Sequence, residues 1–258
     1  MVNVVFAGAA GRMGQRLIAL ADEHPEFTVA AGIEAPGHPR IGAAIGSVTV
    51  TDTLAVDFDV LVDFSLPAGT MQWLPLVVEA NKAMVIGTTG HSHEQLATLR
   101  QAAQTIPILK AGNMSLGVNV LFRLAGQVAQ ALGSDYDIEI VEHHHRYKVD
   151  APSGTALGLL QSITDATGRD AVKDVVYGRE GHTGERPDGQ IAMHSLRLGD
   201  TVGEHEVHFG TLGETVVLKH SAHTRDTFAS GALRAALWIK DRSPGLYSMQ
   251  DVLFGDQT

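Results

Sequence analysis

The stretch Val2-Asn3-Val4-Val5-Phe6-Ala7-Gly8-Ala9-Ala10-Gly11-Arg12-Met13-Gly14 decides the fold. Val2 to Phe6 is a short apolar run of the kind a buried strand needs. Gly8, Gly11 and Gly14 follow it, and Arg12 to Ala21 then reads as an amphipathic helix. Glycines between a strand and a helix let the backbone approach a pyrophosphate, which sits on the helix N-terminus. The spacing G-x-x-G-x-x-G is a variant of the better-known fingerprint.

Glu34 strengthens this reading. It lies 20 residues after Gly14, at the end of the second predicted strand, where a carboxylate accepts hydrogen bonds from an adenosine ribose. A carboxylate there repels a 2′-phosphate, and Ala35 supplies no neighbouring charge, although Arg12 or Arg40 lies within reach in sequence. NADH is therefore expected to be preferred over NADPH. Two more loops follow predicted strands, Gly87-Thr88-Thr89-Gly90 and Ala111-Gly112-Asn113-Met114-Ser115. Ligands of open α/β sheets bind at the carboxyl ends of strands, so Thr and Asn in these loops are candidates for the nicotinamide ribose and amide.

Outward from the first turn, apolar runs alternate with amphipathic ones. Strands are expected over Val2 to Phe6, Thr28 to Ile33, Val60 to Phe64, Ala83 to Ile86 and Ile106 to Leu109. Helices are expected over Arg12 to Ala21, Pro67 to Ala80 and His93 to Ala103, the last with Ser92 and Gln95 as a capping box. The alternation predicts a doubly wound parallel sheet of Rossmann type. After Asn113 the pattern changes. Ser115 to Leu132 reads as a long helix with Leu116, Val120, Leu121, Leu124, Val128 and Leu132 as its apolar stripe. Tyr136 to Arg146, Ile191 to Leu198, Glu204 to Phe209 and Thr215 to Ser221 read as extended, with turns at Gly199-Asp200 and Gly210 to Gly213. That predicts a second, α+β domain with a mostly antiparallel sheet. The last helix, Thr227 to Lys240, fits either domain by its stripe of Phe228, Leu233, Ala236 and Leu237.

Composition narrows the function classes. Among 258 residues, 44% are hydrophobic, which supports a sizeable core, and there is no Cys, which excludes disulfides and thiol chemistry. The net charge of −10 disfavours nucleic acid and anionic membranes as partners. No apolar run approaches the ~20 residues of a membrane span, and the chain starts with no charged leader, so a cytoplasmic protein is expected.

The strongest chemical signal is Glu142-His143-His144-His145-Arg146-Tyr147-Lys148-Val149-Asp150-Ala151-Pro152-Ser153-Gly154-Thr155-Ala156. Imidazoles and an ammonium, which move protons and hold anions, run into a turn that opens a helix, and a helix start attracts carboxylates. The three histidines do not form a metal set: on a strand His144 points away from His143 and His145. No metal is expected.

This run closely resembles the signature of the dihydrodipicolinate reductase family, Glu-x-His-His-x-x-Lys-x-Asp-x-Pro-Ser-Gly-Thr, met by Glu142, His144, His145, Lys148, Asp150, Pro152, Ser153, Gly154 and Thr155. The similarity extends through Gly8 to Gly14, Val62 to Ser65, Gly87 to Gly90, Asn113 to Asn119 and Thr227 to Ala232. The resemblance implies a dinucleotide-binding domain over residues 1–114, completed by 225–258, and a substrate and tetramerisation domain over 115–224. It implies His144 as proton donor, Lys148 as second donor, and His145, Gly154 and Thr155 at the substrate carboxylates. Gly8, Ala9, Ala10, Gly11, Arg12, Met13, Glu34, Gly87, Thr88, Thr89, Ala111, Gly112, Asn113 and Met114 become cofactor contacts. Ala35, where some members carry Arg, weakens the case for NADPH.

The implied substrate is a small cyclic imine with two carboxylates and a ring hydroxyl. Hydride comes from the nicotinamide. His144, with an ordinary pKa of roughly 6.5, gives a proton. Lys148 stabilises developing negative charge. Closure of one domain on the other is expected, and the glycine-rich loop around Arg179 is read as a mobile cover for the site. Three other readings stay open: a different nicotinamide-dependent amino-acid dehydrogenase, a non-catalytic NADH-sensing regulator and, weakest, a histidine-rich metallohydrolase.

Overall fold

The computed structural model of the chain describes residues 1–255. In chain order the first half contains β1 (Val2–Ala7), α1 (Arg12–Glu23), β2 (Phe27–Ile33), β3 (Ala44–Ile45), β4 (Val48–Thr51), β5 (Val60–Asp63), α2 (Pro67–Glu79), β6 (Ala83–Ile86), α3 (His93–Ala102) and β7 (Pro107–Lys110). The second half contains α4 (Leu116–Leu132), β8 (Asp137–His144), α5 (Gly154–Thr167), β9 (Val175–Tyr177), β10 (Ile191–Arg197), β11 (Gly203–Thr211), β12 (Glu214–Ala222), α6 (Asp226–Ile239), β13 (Gly245–Tyr247) and α7 (Met249–Phe254). The chain divides into two compact units, Met1–Leu116 with the segment from Arg225 onward, and Gly117–Thr224.

In the first unit the strand order is β13-β7-β6-β5-β1-β2-β4-β3. Every pairing is parallel except the β3–β4 hairpin. Buried on both faces, β1 sends Val4 and Phe6 into the layer under α1, α6 and α7, and Val5 and Ala7 into the layer under α2 and α3. Each buried Val or Phe contributes about 1.5–3 kcal/mol, so a central strand has little room for polar residues. Because β2 lies on one side of β1 and β5 on the other, the turn after β1 sits where the strand order reverses. That is the place where open sheets bind ligands. Helix α1 buries Gly14, Leu17, Ile18 and Ala21, the i, i+3, i+4, i+7 face. Ser92 and Gln95 do form a capping box on α3.

In the second unit the order is β12-β11-β8-β10-β9. Here the structure corrects one expectation. The sheet is mixed rather than mostly antiparallel: β11 pairs antiparallel with β8 and β12, but β10 pairs parallel with β8 and β9. The segment from β8 to β10 contains α5, a crossover long enough to return the chain in the same direction.

The buried face of α4 matches the expected stripe only in part, at Leu121, with Leu116, Val128 and Leu132 partly buried against the core. It consists of Val118, Asn119, Leu121, Ala125, Gly126 and Ala129, while Leu124 is exposed. Small residues win because α5 packs close. A Cβ on Gly126 would stand 2.8 Å from the Ser162 carbonyl oxygen, and one on Gly158 would stand 2.7 Å from the Phe122 ring.

Candidate active site

The turn after β1 is built around two glycines that tolerate no side chain. Gly8 has a φ of +78°, and a Cβ there would meet the Phe64 carbonyl oxygen at 2.4 Å. A Cβ on Gly14 would stand 2.1 Å from the Gly8 carbonyl oxygen, so α1 could not pack onto β1. Helix α1 opens at Gly11 with no side-chain cap and no acidic residue in its first turn. Its exposed amides are left for an anion. Ala9 is buried, and Ala10 donates its N–H to Glu34 Oε1 at 2.8 Å. That bond aims the Glu34 carboxylate at the turn.

Cavities flank this turn on both sides. One, about 420 Å³, is lined by Gly8, Ala10, Gly11, Glu34, Ala35 and His38 together with residues of α2. The other, about 310 Å³, is lined by Arg12, Met13, Gly87, Ala111, Gly112, Asn113 and Met114, with Arg225 and Phe228 from the start of α6. Phe64 borders both. An uncapped helix start between a cavity-lining acid and a second cleft has the chemistry a dinucleotide would need.

Not every expected side chain is available to such a ligand. Thr88 is buried and its Oγ1 accepts the Ser65 N–H at 3.0 Å. It belongs to a network on buried Asp63, which accepts from Ser65 Oγ and Thr70 Oγ1, both at 2.5 Å. Met114 is buried in the core, leaving only its backbone. Thr89 and Gly112 are exposed. Asn113 Oδ1 accepts the Ser115 N–H at 2.9 Å and so shapes its own loop.

In the second unit β8 alternates faces. Ile138 and Ile140 point into the core, and the same period places Glu142 and His144 on that face, Glu142 fully buried. A buried carboxylate must find partners. His144 Nδ1 lies 2.5 Å from Glu142 Oε2. Arg197, from β10, donates Nη2 to Oε1 at 2.8 Å and Nη1 to Oε2 at 2.9 Å. The Ser153 N–H reaches Oε1 at 3.2 Å. Arg197 also donates to the Asp150 carbonyl oxygen at 2.7 Å. Buried His205, on β11, stands across from Glu142 in register, its ring 5.1 Å from that of His144, with Nε2 3.1 Å from Ser153 Oγ.

The same Ser153 caps α5, accepting the Ala156 N–H at 3.2 Å. Gly154 and Thr155 form the first turn of that helix, Gly154 exposed and Thr155 half-buried. Lys148 Nζ is held by both oxygens of Asp150 at 2.9 Å. His145 is half-buried, and its Nδ1 has no partner among the described residues. His143 belongs to the opposite face of β8 from Glu142 and His144. A cavity of about 640 Å³ in this unit is bordered by Ala151, Pro152 and Ser195, but by neither His144 nor Lys148.

Electrostatics follow from this packing. Burial pushes the Glu142 carboxyl up, but hydrogen bonds from Arg197, His144 and Ser195 outweigh it and hold the group at about 2. Burial pushes His144 below its ordinary value, against the hydrogen bond and negative charge of Glu142. Its resting imidazole is therefore a weaker base than the sequence suggested. Burial, then the neighbouring His144, takes His205 down to about 3.

Sequence reasoning missed Arg197, His205 and the structural use of Glu142 and Ser153. The glycine-rich loop after β9 is tied down through its two arginines. Arg179 donates to Glu139 at 2.8 and 3.1 Å, and Arg186 pairs with Glu139 and Asp137. Glu139 belongs to the face of β8 opposite Glu142 and His144, so these contacts do not cover that pair. No helix of the described residues is long and apolar enough to cross a membrane.

Comparison with known proteins points in one direction. The family model described as dihydrodipicolinate reductase, N-terminus, matches residues 2–114, and that described as dihydrodipicolinate reductase, C-terminus, matches 117–253. The 4-hydroxy-tetrahydrodipicolinate reductases of Hahella chejuensis and Psychrobacter arcticus are each 45% identical over 98% of this chain, covering 99% and 95% of their own lengths. The solved dipicolinate-bound dihydrodipicolinate reductase of Paenisporosarcina sp. TG-14 superposes with a TM-score of 0.79 at 25% identity, covering 97% of this chain and 98% of that one. A scyllo-inositol dehydrogenase from Lactobacillus casei shares the fold alone, with a TM-score of 0.61 at 11% identity, over 99% of this chain and 93% of that one. Matched in both halves and along nearly its full length, the chain belongs to the dihydrodipicolinate reductase family.

Proposed function

We propose that this chain is the NAD(P)H-dependent reductase that converts 4-hydroxy-tetrahydrodipicolinate to tetrahydrodipicolinate, with loss of water, in diaminopimelate and lysine biosynthesis. The observation that carries the assignment of roles is the buried series Arg197–Glu142–His144 at the end of β8. Nothing in the packing of a sheet calls for a buried acid and an imidazole side by side, whereas proton transfer does.

Bound nicotinamide supplies hydride. Gly8, Ala9, Ala10, Gly11, Arg12 and Met13 hold the pyrophosphate, Glu34 the adenosine ribose, and Gly87 to Thr89 with Ala111 to Met114 the nicotinamide half. NADH is the preferred form, because the Glu34 carboxylate opposes a 2′-phosphate. Glu142 accepts Nδ1–H of His144, which fixes the tautomer and leaves Nε2 as the working edge. Burial keeps that ring neutral at rest. A dicarboxylate substrate brings negative charge, raises the proton affinity of Nε2, and lets His144 take up and deliver a proton to the reduced ring. Lys148 exchanges its Asp150 partner for substrate and acts as second donor. His145, Gly154 and Thr155 hold a carboxylate, as a helix start suits.

The residues 1–114 with 225–258, and 115–224, are the cofactor and substrate domains. A cytoplasmic homotetramer assembled through the second sheet completes the reading. The test is to supply the hydroxylated cyclic imine from its synthase, follow NADH absorbance and identify the product. Stoichiometric NADH loss with tetrahydrodipicolinate formation supports the proposal. NADH binding without oxidation would leave a sensor instead.

A further inference from the structure

We propose that His38 is the specificity-determining residue for the adenosine 2′-position, the side chain through which this chain tolerates NADPH. The inference rests on the cofactor reading above, in which Glu34 faces the ribose. His38 and Glu34 line the same cavity, and no Lys or Arg is among the residues lining it. Arg12 lines the other cavity instead. Ala35, beside the acid, carries no polar group. Among the described lining residues His38 is thus the one side chain able to carry positive charge.

Its orientation is set by the loop after β2. The Glu34 N–H is tied to the Thr51 carbonyl oxygen at 2.9 Å, and the His38 N–H to that of Ala35 at 3.1 Å. His38 Nδ1 accepts the Arg40 N–H at 3.2 Å. A ring that accepts at Nδ1 carries its proton on Nε2, so Nε2–H is the donor left for a ligand. Glu34 has already taken the Ala10 N–H on Oε1. The pair offers a ribose hydroxyl an acceptor, and a 2′-phosphate a donor, within one cavity. A single ring N–H donor allows NADPH to bind without making it the better ligand, which the bidentate fork of an Arg would do.

The experiment measures dissociation constants of NADH and NADPH by calorimetry, with 5′-AMP and 2′,5′-ADP as fragment probes, for wild type, His38→Ala and His38→Arg. The expected result is that His38→Ala weakens NADPH and 2′,5′-ADP about five- to tenfold, the scale of one hydrogen bond to a charged group at a half-exposed site. NADH and 5′-AMP should change less than about twofold, as no bond to them is lost. His38→Arg should tighten the two phosphorylated ligands. Equal weakening of NADH and NADPH by His38→Ala would reduce His38 to a shaper of the loop and overturn the proposal, as would unchanged NADPH binding. Failure of the wild type to bind either dinucleotide would overturn the cofactor reading itself, and this inference with it.

Discussion

Arg197 lays its guanidinium along both oxygens of the fully buried Glu142 carboxylate, at 2.8 and 2.9 Å, from the neighbouring parallel strand. This fork is what permits an acid to sit in the core-facing row of β8. It also fixes the acid against the ring of His144.

Arg197→Ala should therefore be costly. Removing one partner of a buried pair leaves an uncompensated charge and typically costs about 3–5 kcal/mol. Chemical denaturation measures this directly. The double variant Glu142→Gln, Arg197→Ala should be less destabilised than Arg197→Ala alone, since it removes the stranded charge. Wild-type stability in Arg197→Ala would contradict the account.

Glu142→Gln should act on catalysis through His144. The carboxylate raises the proton affinity of that ring against burial. Without it the His144 pKa falls further, so the pH limb of kcat/KM that reports protonated His144 should move to lower pH. Turnover should fall by about 10²-fold, the low end of what a general acid contributes. An unmoved pH profile would make Glu142 a purely structural residue.

Acid should destabilise the fold in a defined window. His205 sits at about 3 in the folded protein, chiefly because it is buried, against roughly 6.5 in an unfolded chain. The unfolded state binds the proton first, so this stabilisation is fully present above about pH 6.5 and is lost as pH falls toward 3. Glu142 adds a loss of the same sign lower down, from its ordinary 4.5 toward about 2. Melting temperatures measured across this range should fall steeply in wild type and less steeply in His205→Gln between pH 6.5 and 4. Parallel curves would show that His205 is not the group responsible.

Gly231→Ala should disturb the cofactor loop from behind. A Cβ on this α6 glycine would stand 1.8 Å from the Met114 carbonyl oxygen, a backbone atom that cannot rotate away. The helix or the Ala111–Met114 segment must shift, at a cost of about 1–3 kcal/mol. NADH affinity should drop with it. A variant as stable as wild type with unchanged NADH binding would show that the contact relaxes freely.

Much of this was legible where neighbours in sequence are neighbours in space. The strand, glycine turn and helix from Val2 to Ala21, and the Ser92–Gln95 capping box, are local and were read correctly. The β3–β4 hairpin was not, though Ile45-Gly46-Ser47-Val48 carries its two-residue turn; strands that short give too little alternation. Arg197 lies 55 residues from Glu142. Only the parallel pairing of β10 with β8 brings them together, and that pairing depends on a crossover whose direction no local pattern reveals. The stripe on α4 held at Leu121 and in part at Leu116, Val128 and Leu132, but not at Leu124, since close approach of α5 favours Ala125, Gly126 and Ala129 on the buried face.

The most direct test of the central claim combines His144→Ala and Lys148→Ala in one chain. The rate of NADH oxidation by the hydroxylated cyclic imine and the dissociation constant for NADH are measured on the same sample. NADH affinity within about twofold of wild type, with turnover reduced at least about 10²-fold, is the predicted result. Turnover close to wild type would contradict it, and the proton chemistry would then lie elsewhere in the molecule.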